Sequence, residues 1–135
     1  MRPLILLCIA TLTACTVTPP DWVIRGEELM SNDGEWAVRW QTDPKELPLN
    51  APFVVEAEIR RVDGTALPDE LLLEVDAAMP EHRHGMNRLP RMVALGDGLF
   101  RAEGMLFHME GRWELYFDVT EEELTERSQT EVFLE

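Results

Sequence analysis

The segment from Met79 to Met86 contains two imidazoles and two thioethers, a grouping with the chemistry of a metal site. Imidazole is a borderline nitrogen ligand and a thioether is a soft sulfur ligand, and together they favour copper over zinc, calcium or magnesium. A later pair, His108-Met109, repeats the two residue types. The sequence therefore predicts a copper site, with Cu(I) favoured. Its candidate ligands are Met79, His82, His84, Met86, His108 and Met109.

The local spacing indicates how the first group could converge on one metal. If residues 81 to 84 are extended, His82 and His84 point to the same side and can clamp a metal between two imidazoles. Gly85 would permit a sharp turn that brings Met86 back toward them. Met79 is open to two interpretations, a ligand or the last core residue of the preceding strand.

His108 and Met109 are ranked differently as ligands. Adjacent residues on a strand point in opposite directions, so only one of the two is expected to face the first group. We rank His108 above Met109. A cluster of this kind has a second interpretation, in which the imidazoles hydrogen-bond backbone groups and hold a polar recognition loop. Acid–base catalysis is a weaker third alternative, because no nucleophile, phosphate-binding or zinc-protease motif accompanies the histidines.

The first residues predict an exported lipoprotein. Arg2 precedes an apolar run from Leu4 to Ala14, which is too short for a membrane-spanning helix. The run ends in Leu12-Thr13-Ala14-Cys15, which matches a bacterial lipobox with Cys15 as the lipidated residue. An ordinary secretory signal is the alternative. We therefore predict a signal peptide over residues 1–14, a lipidated N-terminus and tether over 15–33, and one domain over 34–135.

The positions of the cysteines and the net charge exclude several classes of function. The two cysteines, Cys8 and Cys15, both lie in the N-terminal segment, so no disulfide, thiolate ligand or cysteine nucleophile is available to the domain. The chain has 26 acidic against 12 basic residues and a net charge of −14. Such a protein is not expected to bind nucleic acid or an anionic membrane surface. Membrane attachment would come from the lipid alone, on the outer membrane facing the periplasm if the host is Gram-negative.

Alternating apolar residues predict an all-β domain, a single immunoglobulin-like antiparallel sandwich of about seven strands. The predicted strands cover residues 36–40, 53–60, 71–77, 91–95, 99–107, 113–119 and 132–134. Gly96-Asp97-Gly98 predicts a tight turn, and Glu110-Gly111 predicts a further hairpin. Residues 121–124 could form a helical turn. The strand over 71–77 and the hairpin strands near Phe107 and Trp113 are expected on facing sheets, with His108 near the His82/His84 loop.

Several separated motifs in the stretch from about Trp36 to Val119 resemble the YtkA-like domain family, which is related in character to FixH-type proteins. They are Asp76-Ala77-Ala78-Met79-Pro80, His82-x-His84-Gly85-Met86-Asn87, Pro90, Gly98, Gly104, Phe107-His108-Met109 and Gly111-x-Trp113-Glu114-Leu115. The resemblance implies a small extracytoplasmic sandwich of bacteria, in a family suspected of copper binding or copper-oxidase assembly. The spacing of Met and His residues is also similar to that of extracytoplasmic copper chaperones. It departs from their motif because Met109 follows His108 directly instead of one residue later.

These observations predict a copper-binding protein of the cell envelope, a chaperone or assembly factor without catalysis. The expected partner is a copper-accepting envelope protein, and the expected state is a monomer. The missing cysteine ligand excludes a blue-copper electron-transfer site.

Overall fold

The computed structural model describes residues 27–135, which form an all-β fold without a helix. The predicted signal peptide, Cys15 and most of the predicted tether lie outside these residues. No helix long and apolar enough to cross a membrane occurs within the described range. The strands are β1 (Glu27–Met30), β2 (Trp36–Asp43), β3 (Phe53–Arg61), β4 (Leu71–Met79), β5 (His84–Gly85), β6 (Arg91–Gly96), β7 (Leu99–Met105), β8 (Gly111–Glu121) and β9 (Leu124–Leu134).

The strands form two antiparallel sheets, which confirms the predicted sandwich. One sheet has the order β1-β2-β3-β7-β6 and the other the order β5-β4-β8-β9. The buried inward residues of β3, β4 and β8 alternate with more exposed outward residues, most of which are polar. The two inner faces meet in one hydrophobic core, whose largest fully buried side chains include Trp36, Phe107, Trp113 and Phe117.

Two strands were missing from the sequence prediction. β1 lies within the range predicted as a tether and pairs with β2 from Glu27↔Trp40 to Met30↔Ala37. β5 is only two residues long and pairs with the end of β4, where Met79 lies opposite His84. The second of these strands matters for function, because it belongs to the histidine-rich segment.

The predicted hairpin at Glu110-Gly111 is wrong. β7 and β8 lie in different sheets, so the chain crosses from one sheet to the other between Met105 and Gly111. β8 instead pairs with β4 in the same sheet. The expectation that these two strands lie on facing sheets is therefore wrong. The predicted Gly96-Asp97-Gly98 turn does join two paired strands, β6 and β7, with Asp97 and Gly98 both at positive φ.

Residues 121–124 form a strand hairpin, not a helical turn. Glu121 pairs with Leu124, and Glu122 in the turn between them has a φ of 54°. The final strand β9 is also much longer than predicted, because its inward positions Glu126, Ser128 and Thr130 are polar and give no hydrophobic alternation. It forms one edge of the four-stranded sheet.

Glu58 on the outer face of β3 gives the fold a pH-dependent element. Its burial raises the pKa of its carboxyl group, against the opposing effect of Arg60 and Arg39. A raised pKa means that the folded state binds the proton more tightly than the unfolded state does. The protonated Glu58 carboxyl therefore stabilises the fold at low pH, and this contribution to the free energy of unfolding is lost as pH rises through the folded pKa. The Glu58→Gln variant should therefore be at least as stable as wild type at pH 7, and this advantage should shrink toward pH 4.

Thermal unfolding across that pH range measures this prediction. Glu56→Gln, two residues away on the same outer face, is the control for removing one negative charge. A Glu58→Gln variant that is less stable than wild type at pH 7, by more than at pH 4, would contradict the assignment.

Candidate metal centre

His82 lies in a tight turn at the end of β4. The turn spans Pro80 to Arg83 and is closed by the His82 amide donating to the Met79 carbonyl at 3.0 Å and the Arg83 amide donating to the Pro80 carbonyl at 3.2 Å. Arg83 has a φ of 57°. The expectation that residues 81 to 84 are extended is therefore wrong, because residues 80–83 form a turn that ends in the left-handed Arg83.

The reversal places His84 in β5, back alongside the strand that the chain has just left. Gly85 is not the turn residue, as the sequence suggested, but packs closely against β4. A Cβ atom at Gly85 would lie 3.3 Å from the Ala77 carbonyl oxygen. The Met86 amide donates to that same oxygen at 3.1 Å. Glycine thus allows the two segments to approach, and the alternation of side chains puts His84 and Met86 on one face.

His108 reaches the same place from the crossover between the two sheets. Its neighbour Phe107 is fully buried and forms an isolated bridge with Leu49. The Asn50 amide donates to the Phe107 carbonyl oxygen at 2.9 Å. The crossover is therefore anchored to the segment of Leu49 and Asn50, and the next residue, His108, lies beside His84 of β5.

The three histidine rings form a continuous group, which we call the histidine cluster: His82, His84 and His108. The ring centres of His82 and His84 are 5.8 Å apart, and those of His84 and His108 are 5.0 Å apart. Two imidazoles that share a metal at a bond length of about 2 Å have ring centres no more than about 6 Å apart. Both neighbouring pairs in the cluster meet that limit.

The hydrogen bonds of the cluster leave ring nitrogens available. His84 Nδ1 lies 3.1 Å from the Gly85 carbonyl oxygen. A carbonyl can only accept, so Nδ1 carries the proton in neutral His84 and Nε2 keeps its lone pair. His108 Nδ1 is buried and has no hydrogen-bond partner among residues 27–135. A buried polar atom without a partner is costly, and an ion is one group that satisfies it.

Trp113 forms the base of the cluster, a role that the sequence analysis did not assign to it. Its ring is fully buried and stacks on Phe107, with ring centres 4.5 Å apart. His84 and His108 both meet it edge to face, at 6.1 and 5.5 Å. The indole nitrogen donates to the Met109 carbonyl oxygen at 3.0 Å, which ties the crossover to β8. The position of Trp113 two residues after a glycine was visible in the sequence, but its contacts were not.

The three candidate methionines have different surroundings. Met79 is 1% exposed within the hydrophobic core, and its terminal methyl carbon would lie 3.2 Å from a Cβ atom at Gly111. Met86 is half-buried and packs against the core. Met109 is 37% exposed. The core position of Met79 favours its structural interpretation, while Met86 is the thioether that shares a face and a short segment with His84.

The described residues do not contain a metal site made of nitrogen and oxygen ligands alone. No group of three or more His, Cys, Asp or Glu side chains among residues 27–135 is placed to hold a metal ion. The cluster thus brings pairs of imidazoles within reach of one ion without forming a ready three-nitrogen centre. A complete donor set would combine imidazoles with a thioether, which is a soft set that suits Cu(I).

The outer face beside the cluster is held by ion pairs. Arg112 on β8 contacts Glu81 of the His82 turn at 3.3 Å and also pairs with Glu114 and Glu131. These carboxylates raise the pKa of the Arg112 guanidinium, with Glu131 contributing most. Burial and the hydrogen bond to Glu114 raise the pKa of Tyr116 to about 12. Arg112 therefore links three carboxylates beside the cluster.

A sequence profile of the YtkA-like family matches residues 31–118, more than half of the chain. The chain belongs to the YtkA-like family. The match contains the whole histidine cluster, Met86 and Trp113. It fits an extracytoplasmic protein of the cell envelope, and the YtkA-like family is not a known family of enzymes. No curated protein and no solved structure matches the chain significantly.

Proposed function

We propose that this YtkA-like protein binds Cu(I) at one end of its sandwich and passes it to another envelope protein, without catalysing a reaction. The donors would be one pair of imidazoles of the histidine cluster, His84 and His108, together with the Met86 thioether. A lipid on Cys15 would hold the protein at the membrane. Met79 is assigned to the core, and Met109 supports the site through its carbonyl oxygen.

The buried Nδ1 atom of His108 carries this proposal. It has no hydrogen-bond partner among the described residues, and its ring centre is 5.0 Å from that of His84. His84 in turn has its Nδ1 proton directed at the Gly85 carbonyl oxygen, which leaves Nε2 free to bind. Fixing one ring nitrogen by a carbonyl is the usual arrangement of a metal-binding histidine.

The donor chemistry supports Cu(I) in particular. Thioether sulfur selects Cu(I), and the domain has no cysteine that could supply a thiolate. A hard cation such as Ca²⁺ or Mg²⁺ would require several oxygen ligands, and the nearby carboxylates Glu81, Glu114 and Glu131 are paired with Arg112. The site therefore fits a soft monovalent ion better than a divalent one.

A metal-free recognition loop is the competing function. It would require the imidazoles to be used up in hydrogen bonds that hold the loop. The turn is instead closed by backbone hydrogen bonds from the His82 and Arg83 amides, and the His84 ring bonds to the carbonyl oxygen of its own neighbour, Gly85. These contacts favour the metal-binding alternative.

X-ray absorption at the copper edge tests the donor set. We expect Cu(I)-loaded full-length protein to show both nitrogen and sulfur neighbours, with the sulfur signal lost in Met86→Leu and kept in Met109→Leu. Leucine preserves the size and apolar character of methionine, so the core should be little disturbed.

Three results would contradict the proposal in different ways. An unchanged sulfur signal in Met86→Leu would remove Met86 from the site. Loss of the signal in Met109→Leu would assign the thioether to that residue instead. Protein that retains no copper through gel filtration would contradict copper binding itself.

A further inference from the structure

We propose that the free edge of β6 is a docking site at which an extended segment of a partner protein adds one strand to the five-stranded sheet. The segment is defined by its chemistry, with apolar residues that alternate with basic ones. Strand addition of this kind draws affinity from backbone hydrogen bonds and specificity from pockets for alternate side chains. The inference does not depend on copper binding and concerns a surface outside the histidine cluster.

The middle of β6 has backbone groups that no described residue uses. The Ile59 amide donates to the Gly98 carbonyl oxygen at 2.8 Å, which fixes the residues of β7 whose backbone faces β3. The residues between them face β6, and their register with β6 leaves the amides and carbonyls of Met92 and Ala94 directed away from β7. β6 is the last strand of its sheet. These groups therefore form an open edge onto which another strand can pair.

The opposite side of the sandwich is closed, which makes the β6 side distinct. There β1 and β9 are the edge strands, and the Asn32 amide just after β1 donates to the Arg127 carbonyl oxygen of β9 at 2.9 Å. The Ser31 hydroxyl also donates to the Glu126 carboxylate at 2.5 Å. On the other side, no hydrogen bond joins β6 to β4 in the described structure. The two sheets are therefore not bonded to each other along the β6 edge.

Two clefts between β6 and β4 can receive the inward side chains of an added strand. The larger, of about 560 Å³, lies between the start of β4 and the end of β6 and has Leu71 and Ala94 in its lining. The smaller, of about 160 Å³, lies between the middle of β4 and Met92 of β6. Leu89 just before β6 and Leu95 near its end are 86% and 56% exposed. A bound segment would remove part of this apolar surface from water, which favours binding.

The charge of the clefts indicates which segment fits. Asp69 and Asp97 line the larger cleft, and Glu74 and Asp76 line the smaller. All four residues are exposed, and none forms an ion pair within residues 27–135. No lysine or arginine lines either cleft. A basic segment is therefore attracted, whereas a second copy of this chain, with its own net charge of −14, is repelled.

Binding of two synthetic octapeptides to the full-length protein tests the proposal, one of alternating lysine and valine and one of alternating glutamate and valine. The main variant is Ala94→Pro, because proline removes an outward amide of an edge strand without removing a bond to β7. Ala94→Val keeps that amide and is the matched control. Asp69→Asn/Asp97→Asn removes charge from the larger cleft, and asparagine tolerates the φ of 52° of Asp97. Thermal unfolding establishes first that each variant is folded.

We expect the lysine–valine peptide to bind wild type and Ala94→Val alike and to bind Ala94→Pro at least about tenfold more weakly, as the loss of one or two backbone hydrogen bonds implies. Asp69→Asn/Asp97→Asn should also bind it more weakly, and the difference should shrink as salt is added. The glutamate–valine peptide should not bind. Binding should slow hydrogen exchange at the Met92 and Ala94 amides, measured by NMR.

Equal binding by wild type and Ala94→Pro, equal binding of the two peptides, or no binding to wild type would overturn the inference. Slow exchange of the Met92 and Ala94 amides in the protein without peptide would overturn it as well. Loss of that protection on dilution would assign the edge to a second copy, and its persistence would show that the chain itself covers the edge.

Discussion

Replacing Trp113 by alanine is expected to lower the free energy of unfolding by about 3–5 kcal/mol, the usual cost of removing a large buried aromatic ring. Trp113 is fully buried, stacks on Phe107 and donates its indole hydrogen to the Met109 carbonyl oxygen. All of these contacts disappear together in Trp113→Ala. Chemical denaturation with a fluorescence or circular dichroism signal measures the loss.

The same substitution should also remove copper binding from the molecules that remain folded. His84 and His108 both rest against the indole, so neither ring keeps its position without it. Trp36→Ala is the matched control, because Trp36 is also buried but begins β2, opposite Arg61 at the end of β3. We expect Trp36→Ala to lose stability and keep its affinity for Cu(I).

Trp113→Phe separates packing from the hydrogen bond. It retains an aromatic ring beside the histidines but cannot donate to Met109. A smaller loss of stability than in Trp113→Ala, with copper binding retained, is the expected result. If folded Trp113→Ala binds copper as tightly as wild type, Trp113 is not the base of the site.

The sandwich was predictable because its core strands alternate cleanly. β3, β4 and β8 each bury every second residue, and this period is readable without any structure. β1 and β5 escaped prediction for a different reason. β1 is a mostly exposed edge strand and β5 has only two residues, so neither presents a periodic apolar face.

The connection between β7 and β8 shows where local sequence is insufficient. Glu110-Gly111 has the residue types of a turn, and a turn between two strands usually indicates a hairpin. Whether the second strand pairs with the first or joins the other sheet depends on contacts distant in sequence. Here β8 pairs with both β4 and β9, and no property of residues 106–111 specifies these partners.

The arrangement of the candidate ligands was predicted only in part. The sequence placed His108 near the His82/His84 loop, and the structure confirms this proximity through a 5.0 Å separation from His84. The extended conformation of residues 81 to 84 was wrong, since the left-handed φ of Arg83 has no signal in an arginine. The base formed by Trp113 depends on ring contacts between three segments, which a linear pattern does not contain.

The most direct test of the account is the affinity for Cu(I) of wild type compared with the double variant His84→Asn/His108→Asn. Together these substitutions remove the two inner nitrogen donors, while each polar asparagine remains compatible with a half-buried surface. Arg83→Asn controls for a change on the same loop outside the donor set. Circular dichroism and thermal unfolding establish that each protein is folded before its affinity is compared.

Competition against a chromophoric chelator, without oxygen, gives the result. The account predicts that wild type and Arg83→Asn withdraw Cu(I) from the chelator and that the double variant does so more weakly by over about 100-fold. A folded double variant that competes as well as wild type would contradict a copper site built on His84 and His108.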